Sequence, residues 1–490
     1  MKIAFVSSEV VPFSKTGGLA DISGALPKFL EKLGHKVSVF TPLYKAVKDK
    51  FRPRKTGRAV SVPVGTDLVK GEIWQGTLPD SKVPVYFISH DAYYYRDGLY
   101  GDAKGDYSDN CSRFVFFSRA VIEAIRALGL EPDVIHSNDW QAGLIPVYSK
   151  LAYAGDAGIS RAANVYTIHN LGYQGLFWHW DMPIINIGWE HFNYKELEFF
   201  NKINLVKGGI VFSDTITTVS PTYAKEIQSD EELGAGLRGV LKERTKDLVG
   251  ILNGIDYAEW SPEVDALIPS KYSLAGMSGK AICKKELQGE ANFLKKPAVP
   301  LIGMITRLVD QKGLDLLAAV AEQLMAEDLQ LVVLGTGLEK YHKLLTQIAA
   351  KYPKKAAAFL KFDNRLAHWI EAGADIFLMP SRYEPSGLNQ LYSLKYGTVP
   401  VVRATGGLAD TITDAADAAV RAGKANGFSF APYEANELLR TVRRALAAYH
   451  DATLWQQLVT TGMKQDWSWN RSATEYVAMY KEAVERKKRR

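Results

Sequence analysis

The sequence predicts an α/β protein built from two doubly wound, Rossmann-like domains, and three observations lead there. At 490 residues the chain exceeds what a single hydrophobic core organises. Short apolar runs alternate with helical patterns along nearly the whole length, as βα units of parallel sheets do. One hexapeptide, Thr16-Gly17-Gly18-Leu19-Ala20-Asp21, recurs letter for letter as Thr405-Gly406-Gly407-Leu408-Ala409-Asp410, each copy between a strand pattern and a helix pattern.

In chain order, Lys2 to Ser7 reads as a first strand and Leu19 to Leu33 as a helix closed by Gly34. Further strands are expected at Lys36 to Thr41, Val83 to Ile88, Asp133 to Ser137, Asn164 to His169 and Thr215 to Val219. A second series follows at Leu301 to Thr306, Gln330 to Leu334, Asp375 to Met379 and Val399 to Arg403. The stretch from Leu233 to Pro297, with the turn-like Asn253-Gly254-Ile255-Asp256, separates the two series and holds the expected junction. The division is then 1–245, 246–465 and a terminal helix in 466–490 that sets Tyr476, Tyr480, Ala483 and Val484 on one face.

The hydrophobic share of 47% and charged share of 23% are those of a soluble globular chain. The formal charge of +6 is owed mostly to the basic run Arg486 to Arg490, so nucleic acid is not an expected partner. Cys111 and Cys283, the only cysteines, are too few for a disulfide framework or a zinc cluster. The apolar run Ile3 to Val6 stops at Ser7, Ser8 and Glu9, and no apolar stretch spans a bilayer. A cytoplasmic location with no membrane partner is therefore expected, while the oligomeric state is not legible.

The repeated Gly-Gly pairs suit close backbone approach to a ligand, with the amides of a helix start attracting an anion. Two such turns in equivalent places read as facing halves of one site. Arg307 and Lys312 follow a strand end, where open α/β sheets bind ligands; a planar fork beside a point charge suits a diphosphate, though solvated loop cations fit the same pattern. Lys15 adjoins the first repeat. Glu384, in Arg382-Tyr383-Glu384-Pro385-Ser386-Gly387-Leu388, reads as an acceptor for sugar hydroxyls or as a helix-capping carboxylate, with the amides of Ser386, Gly387 and Leu388 as donors. Asp139, Trp140, His169 and Asn170 end two strands of the first series, and a lone histidine is more often structural. Tyr93, Tyr94, Tyr95, Trp140, Tyr173, Phe177 and Trp178 offer flat faces, most of them expected in the core. No Asp-x-Asp pair, His/Cys cluster or Walker loop occurs, so neither a metal nor a cofactor is expected.

Taken together, these residues resemble those of the bacterial glycogen synthases and plant starch synthases, retaining glycosyltransferases of GT-B architecture with two Rossmann-like domains facing across a cleft. The resemblance runs from Lys2 to about Tyr480. It is anchored by Lys15 to Asp21, Asn138-Asp139-Trp140-Gln141, Thr167-Ile168-His169-Asn170, Asn253 to Asp256, Arg307 to Gly313, Glu384 to Gly387 and the second hexapeptide. It implies ADP-glucose as donor, the non-reducing end of an α-1,4-glucan as acceptor, and retention of configuration without metal.

By that resemblance Lys15 contacts the donor, Arg307 and Lys312 hold its phosphates, Glu384 binds glucose hydroxyls, and Asp21, Asp139 and His169 line the reaction centre. Gly17, Gly18, Asn170, Asn253, Ser386, Gly387, Leu388, Thr405, Gly406 and Gly407 complete the implied substrate-binding set. Phe362 falls where the family often stacks a tyrosine on adenine. Ser386 stands where many bacterial relatives have cysteine and Asn138 where many have histidine. Tyr392 replaces the second glutamate of related sucrose and lipid transferases, as it does in glycogen synthases. A glycosidase would need two carboxylates flanking the glycosidic bond. A glucan-binding protein with little turnover, or a transferase using UDP-glucose, are the remaining alternatives.

Overall fold

The computed structural model describes residues 1–102 and 104–489. Internal contacts divide them into two units, Met1–Asn253 with the chain from Trp469 onward, and Gly254–Ser468.

The strands of the first unit are β1 (Lys2–Val6), β2 (Lys36–Pro42), β3 (Arg54–Val64), β4 (Asp67–Thr77), β5 (Pro84–Ser89), β6 (Gly101–Asp102), β7 (Gly105–Asp106), β8 (Val134–Asn138), β9 (Ala163–Ile168), β10 (Leu176–Trp178), β11 (Glu198–Phe199), β12 (Lys202–Asn204), β13 (Thr215–Thr218) and β14 (Leu248–Gly250). Among the described residues nine of them form one sheet in the order β14-β13-β9-β8-β1-β2-β5-β4-β3. It is parallel from β14 to β5 and ends in an antiparallel β3–β4 hairpin. The central strands β1, β8 and β9 are buried almost throughout, hence their unbroken apolar runs. The hairpin lacked that signal because its outer residues, Arg54, Lys55 and Arg58 among them, are the charges of an exposed edge.

Helix α1 (Gly18–Lys32) lays Ile22, Ala25, Leu26, Phe29 and Leu30 into the core of this unit. The terminal helix Trp469–Arg489 packs on α1 and β9, burying Trp469, Ala473, Tyr476, Tyr480 and Ala483. Beneath it runs a buried polar chain. The Tyr480 hydroxyl lies 2.7 Å from His136 Nδ1, His136 Nε2 lies 2.6 Å from Thr167 Oγ1, and Thr167 Oγ1 lies 2.5 Å from Thr217 Oγ1.

In the second unit β15 (Leu301–Ile305), β16 (Gln330–Leu334), β17 (Ala356–Phe359), β18 (Ile376–Met379), β19 (Val399–Arg403) and β20 (Phe428–Phe430) form a parallel sheet in the order β17-β16-β15-β18-β19-β20. The edge strands β17 and β20 are too short to show a period in the sequence.

Each parallel sheet has one point where the strand order reverses, between β1 and β8 in the first unit and between β15 and β18 in the second. Ligand crevices open at the carboxyl ends of such pairs. There the chain places Ser7 to Glu9 and Asp139, and Arg307 to Lys312 and Ser381 to Gly387. Among the described residues no helix is long and apolar enough to cross a membrane.

Candidate active site

At the first reversal, the buried Glu9 organises the Lys15 loop. Its carboxylate accepts from the Thr16 hydroxyl at 2.6 Å, from the Gly17 amide at 3.2 Å and from the Tyr100 hydroxyl at 2.8 Å. Lys15 Nζ donates to Asp21 Oδ1 at 2.7 Å, so these two expected site residues pair with each other. Burial pushes the Asp21 carboxyl up, against the opposing charge of Lys15. Sequence reading missed Glu9 and Tyr100. Glu9 was findable as a carboxylate just past the first strand, whereas Tyr100 lies in an irregular loop with no periodic signal.

Asp139 follows β8 with φ 55° and ψ −177°, a conformation that costs a non-glycine residue on the order of 1–3 kcal/mol. Its amide donates to the Thr167 carbonyl at 3.0 Å and its Oδ1 accepts from the His169 amide at 2.8 Å, which holds the two loop starts together. Burial raises its carboxyl to about 7, opposed by the amides of His169 and Asn170.

The side chain of His169 is locked by Asn138. Asn138 Nδ2 donates to the Val6 carbonyl at 2.9 Å, so its Oδ1 faces His169 Nε2 at 2.9 Å and must accept. The proton therefore sits on Nε2, and Nδ1 keeps a buried lone pair with no partner among the described residues. Burial lowers the imidazole to about 3, so it is neutral at physiological pH and acts as an acceptor. Asn170 is used locally, its Oδ1 accepting from the Gly172 amide at 2.9 Å.

At the second reversal, Lys312 Nζ donates to Glu384 Oε2 at 2.6 Å, and Ser381 Oγ donates to the same oxygen at 2.9 Å. Gln311 ties the two loops together, its Nε2 donating to the Tyr383 carbonyl at 3.1 Å and its carbonyl accepting from the Arg382 amide at 2.8 Å. Arg307 is exposed at the end of β15. Ser386 is buried, and the amides of Gly387 and Leu388 have no hydrogen-bond partner among the described residues.

The two hexapeptides differ in use. A Cβ on Gly17 or Gly18 would meet nothing within 4 Å, which leaves the first copy open. A Cβ on Gly406 would lie 2.0 Å from the Glu384 carbonyl oxygen, and one on Gly407 2.0 Å from that of Ser386. The Gly407 amide donates to the Glu384 carbonyl at 3.1 Å. The expectation of free helix-start amides is thus corrected for Gly407: the second copy, with the buried Thr405, backs the Glu384 loop by close packing.

Phe362 lies beyond β17 with 79% of its surface exposed. Asn253 is buried where the first unit ends. Tyr392 is stacked on Trp260 at 3.9 Å, and Trp260 on His368 at 3.8 Å. Among the described residues no cluster of His, Cys, Asp or Glu is gathered for a metal ion.

Residues 2–243 match the starch synthase catalytic domain family and residues 289–457 the glycosyl transferases group 1 family. The chain is 48% identical over 483 residues to a glycogen synthase of Koribacter versatilis, covering 99% of this chain and 98% of that protein. It is 47% identical over 493 residues to a glycogen synthase of Pseudothermotoga lettingae, covering 99% and 100%. Among solved structures, the catalytic domain of starch synthase IV from Arabidopsis thaliana, bound to ADP and acarbose, aligns with a TM-score of 0.91 at 32% identity over 99% of each chain. A sucrose-phosphate synthase from Thermosynechococcus elongatus, 16% identical over 98% of each chain with a TM-score of 0.59, shares the fold.

Proposed function

The chain belongs to the glycogen and starch synthase family, and from that premise we propose that it moves glucose from ADP-glucose to the non-reducing end of an α-1,4-glucan with retention of configuration. It is a hexosyltransferase of the GT-B fold acting in glycogen or starch synthesis. The observation that carries the finer reading is the Lys312–Glu384 pair at a strand-order reversal.

As the bond from glucose C1 to the diphosphate breaks, its electron pair stays with the phosphate oxygen. Arg307 and Lys312 supply the cations that offset this charge. Glu384, kept in place by Lys312 and Ser381, accepts glucose hydroxyls, and the Gly387 and Leu388 amides donate to sugar or phosphate. Lys15 contacts the donor, paired with Asp21 until the donor arrives. His169 takes a sugar hydroxyl on its free Nδ1, and Asp139 holds the strand end that presents it. The acceptor hydroxyl oxygen bonds to C1 on the face the diphosphate leaves, which retains the configuration, and its proton passes to the departing phosphate oxygen.

Incubation with ADP-glucose and glycogen, with UDP-glucose in parallel, tests the reading. Release of ADP with elongation of glycogen, faster than release of UDP, is expected. Absence of nucleotide release would overturn the transfer reading, and a faster UDP-glucose reaction the donor assignment.

A further inference from the structure

The loop that carries Glu384 runs into the helix Asn389–Tyr396, and that helix turns one side chain back beneath the loop. The side chain is Gln390, which is fully buried. Its Nε2 donates to the Ser386 carbonyl at 3.0 Å and to the Gly387 carbonyl at 3.1 Å, and lies 3.4 Å from Thr411 Oγ1, which donates to the Gly407 carbonyl at 2.6 Å. Two carbonyls facing one end of the side-chain amide fix which end is nitrogen. Oε1 is thereby left without a partner among the described residues, and a Cβ on Gly387 would lie 2.4 Å from it. Residue 387 is therefore glycine for two reasons, its φ of 70° and the side chain packed under it.

The consequence lies in the peptide planes. Across a trans peptide the carbonyl and the next amide point to opposite sides. Gln390 draws the Ser386 and Gly387 carbonyls toward itself, so the amides of Gly387 and Leu388 open together on the far side, and neither has a partner among the described residues. The backbone hand agrees. Left-handed Gly387 followed by Leu388 at φ −120° and ψ −33° curls successive N–H groups into one concavity, a shape that cradles anions. Burying the Oε1 acceptor without a partner is costly, and here that cost accompanies an arrangement that keeps two donors free for a ligand.

We propose that Gln390 is a positioning residue for glucosyl transfer: it aligns the Gly387 and Leu388 amides on the distal phosphate of the nucleotide donor. The proposal rests on the donor reading above. The distal phosphate is the one bonded to glucose C1, and Glu384, three residues before Gly387 in the same loop, accepts that glucose's hydroxyls. As the bond breaks, charge gathers on the oxygens these amides face, and donors already aligned need no reorganisation. Gln390, being fully buried, acts only through the loop.

The test compares wild-type protein with Gln390→Met, which keeps the length and removes the donor, and with Gln390→Glu, which keeps the shape and turns an oxygen on the two carbonyls. The Kd for ADP should rise about tenfold in both, the loss expected when charge-assisted hydrogen bonds are misaligned, while the Kd for AMP, which lacks the distal phosphate, should hold. With ADP-glucose, kcat should fall about tenfold or more. In the wild-type protein, hydrogen exchange of the segment 386–389 should slow on binding ADP and not on binding AMP. Exchange that ADP leaves unchanged would overturn the alignment, whether or not the variants fold. Unchanged ADP affinity in a folded variant would overturn the positioning role, and so would equal losses for ADP and AMP, the mark of a side chain that only supports the fold. Wild-type protein that binds pyrophosphate but neither nucleotide contradicts the donor reading instead, and loss of pyrophosphate binding in the variants still decides the role of Gln390.

Discussion

Lys312 Nζ lies 2.6 Å from Glu384 Oε2, joining two loops 72 residues apart in sequence with both side chains largely buried. That contact holds the carboxylate in place, and in the proposed reaction the same cation meets the leaving diphosphate.

Replacing Lys312 with Ala should lower turnover on the order of 10²- to 10³-fold, with a smaller loss of donor affinity, because the charge it offsets grows in the transition state. It should also cost about 3 kcal/mol of stability by stranding Glu384. Arg307→Ala, at an exposed position, should share the kinetic loss with little change in stability. The double variant should lose less turnover than the two single losses combined. Steady-state kinetics with urea unfolding checks each part.

The two hexapeptides should respond differently to one added methyl group. Gly407→Ala places a Cβ on the Ser386 carbonyl and should cost about 2–4 kcal/mol while displacing the Glu384 loop. Gly17→Ala meets no protein atom and should leave stability within about 0.5 kcal/mol, its effect confined to kinetics. Thermal melts of the two variants separate these outcomes.

Asp139 should make the protein less stable as pH rises. Its carboxyl is raised from 3.8 to about 7 on folding, so the folded state holds that proton more tightly. The resulting stability is complete below about pH 4 and is lost as pH climbs through 7. Asp139→Asn should remove this part of the pH dependence of the urea midpoint between pH 5 and 8, while lowering turnover.

The buried histidines act in the opposite direction. His136 and His169 are lowered from 6.5 to about 3, so the stability of their neutral forms is present above about pH 6.5 and lost as pH falls toward 3. In His136→Asn the number of protons taken up on unfolding near pH 4.5 should fall by about one.

The placement of the candidate site was legible because ligand crevices of open α/β sheets lie at strand ends, and strands announce themselves as apolar runs. Arg307, Lys312, Glu384, Asp139 and His169 all stand at such ends. Their pairings were not legible. That Lys312 meets Glu384, that Asn138 sets the tautomer of His169, and that Glu9 carries the Lys15 loop with Tyr100 are contacts between distant segments, leaving no local pattern. The identity of the two hexapeptides suggested identical duties, yet their surroundings differ: one borders open space and the other a neighbouring backbone. The charged β3–β4 hairpin and the short strands β17 and β20 escaped for lack of an apolar period.

The helix Trp469–Arg489 carries a consequence for biosynthesis. It completes the core of the first unit, with Tyr480 closing on His136, yet it is translated after the whole of the second unit. On the ribosome, β9 and α1 must therefore wait with an uncovered apolar face while Gly254–Ser468 is synthesised, and the later unit has every segment it needs before the earlier one does. The first unit thus gains its last segment only after the second has been synthesised whole.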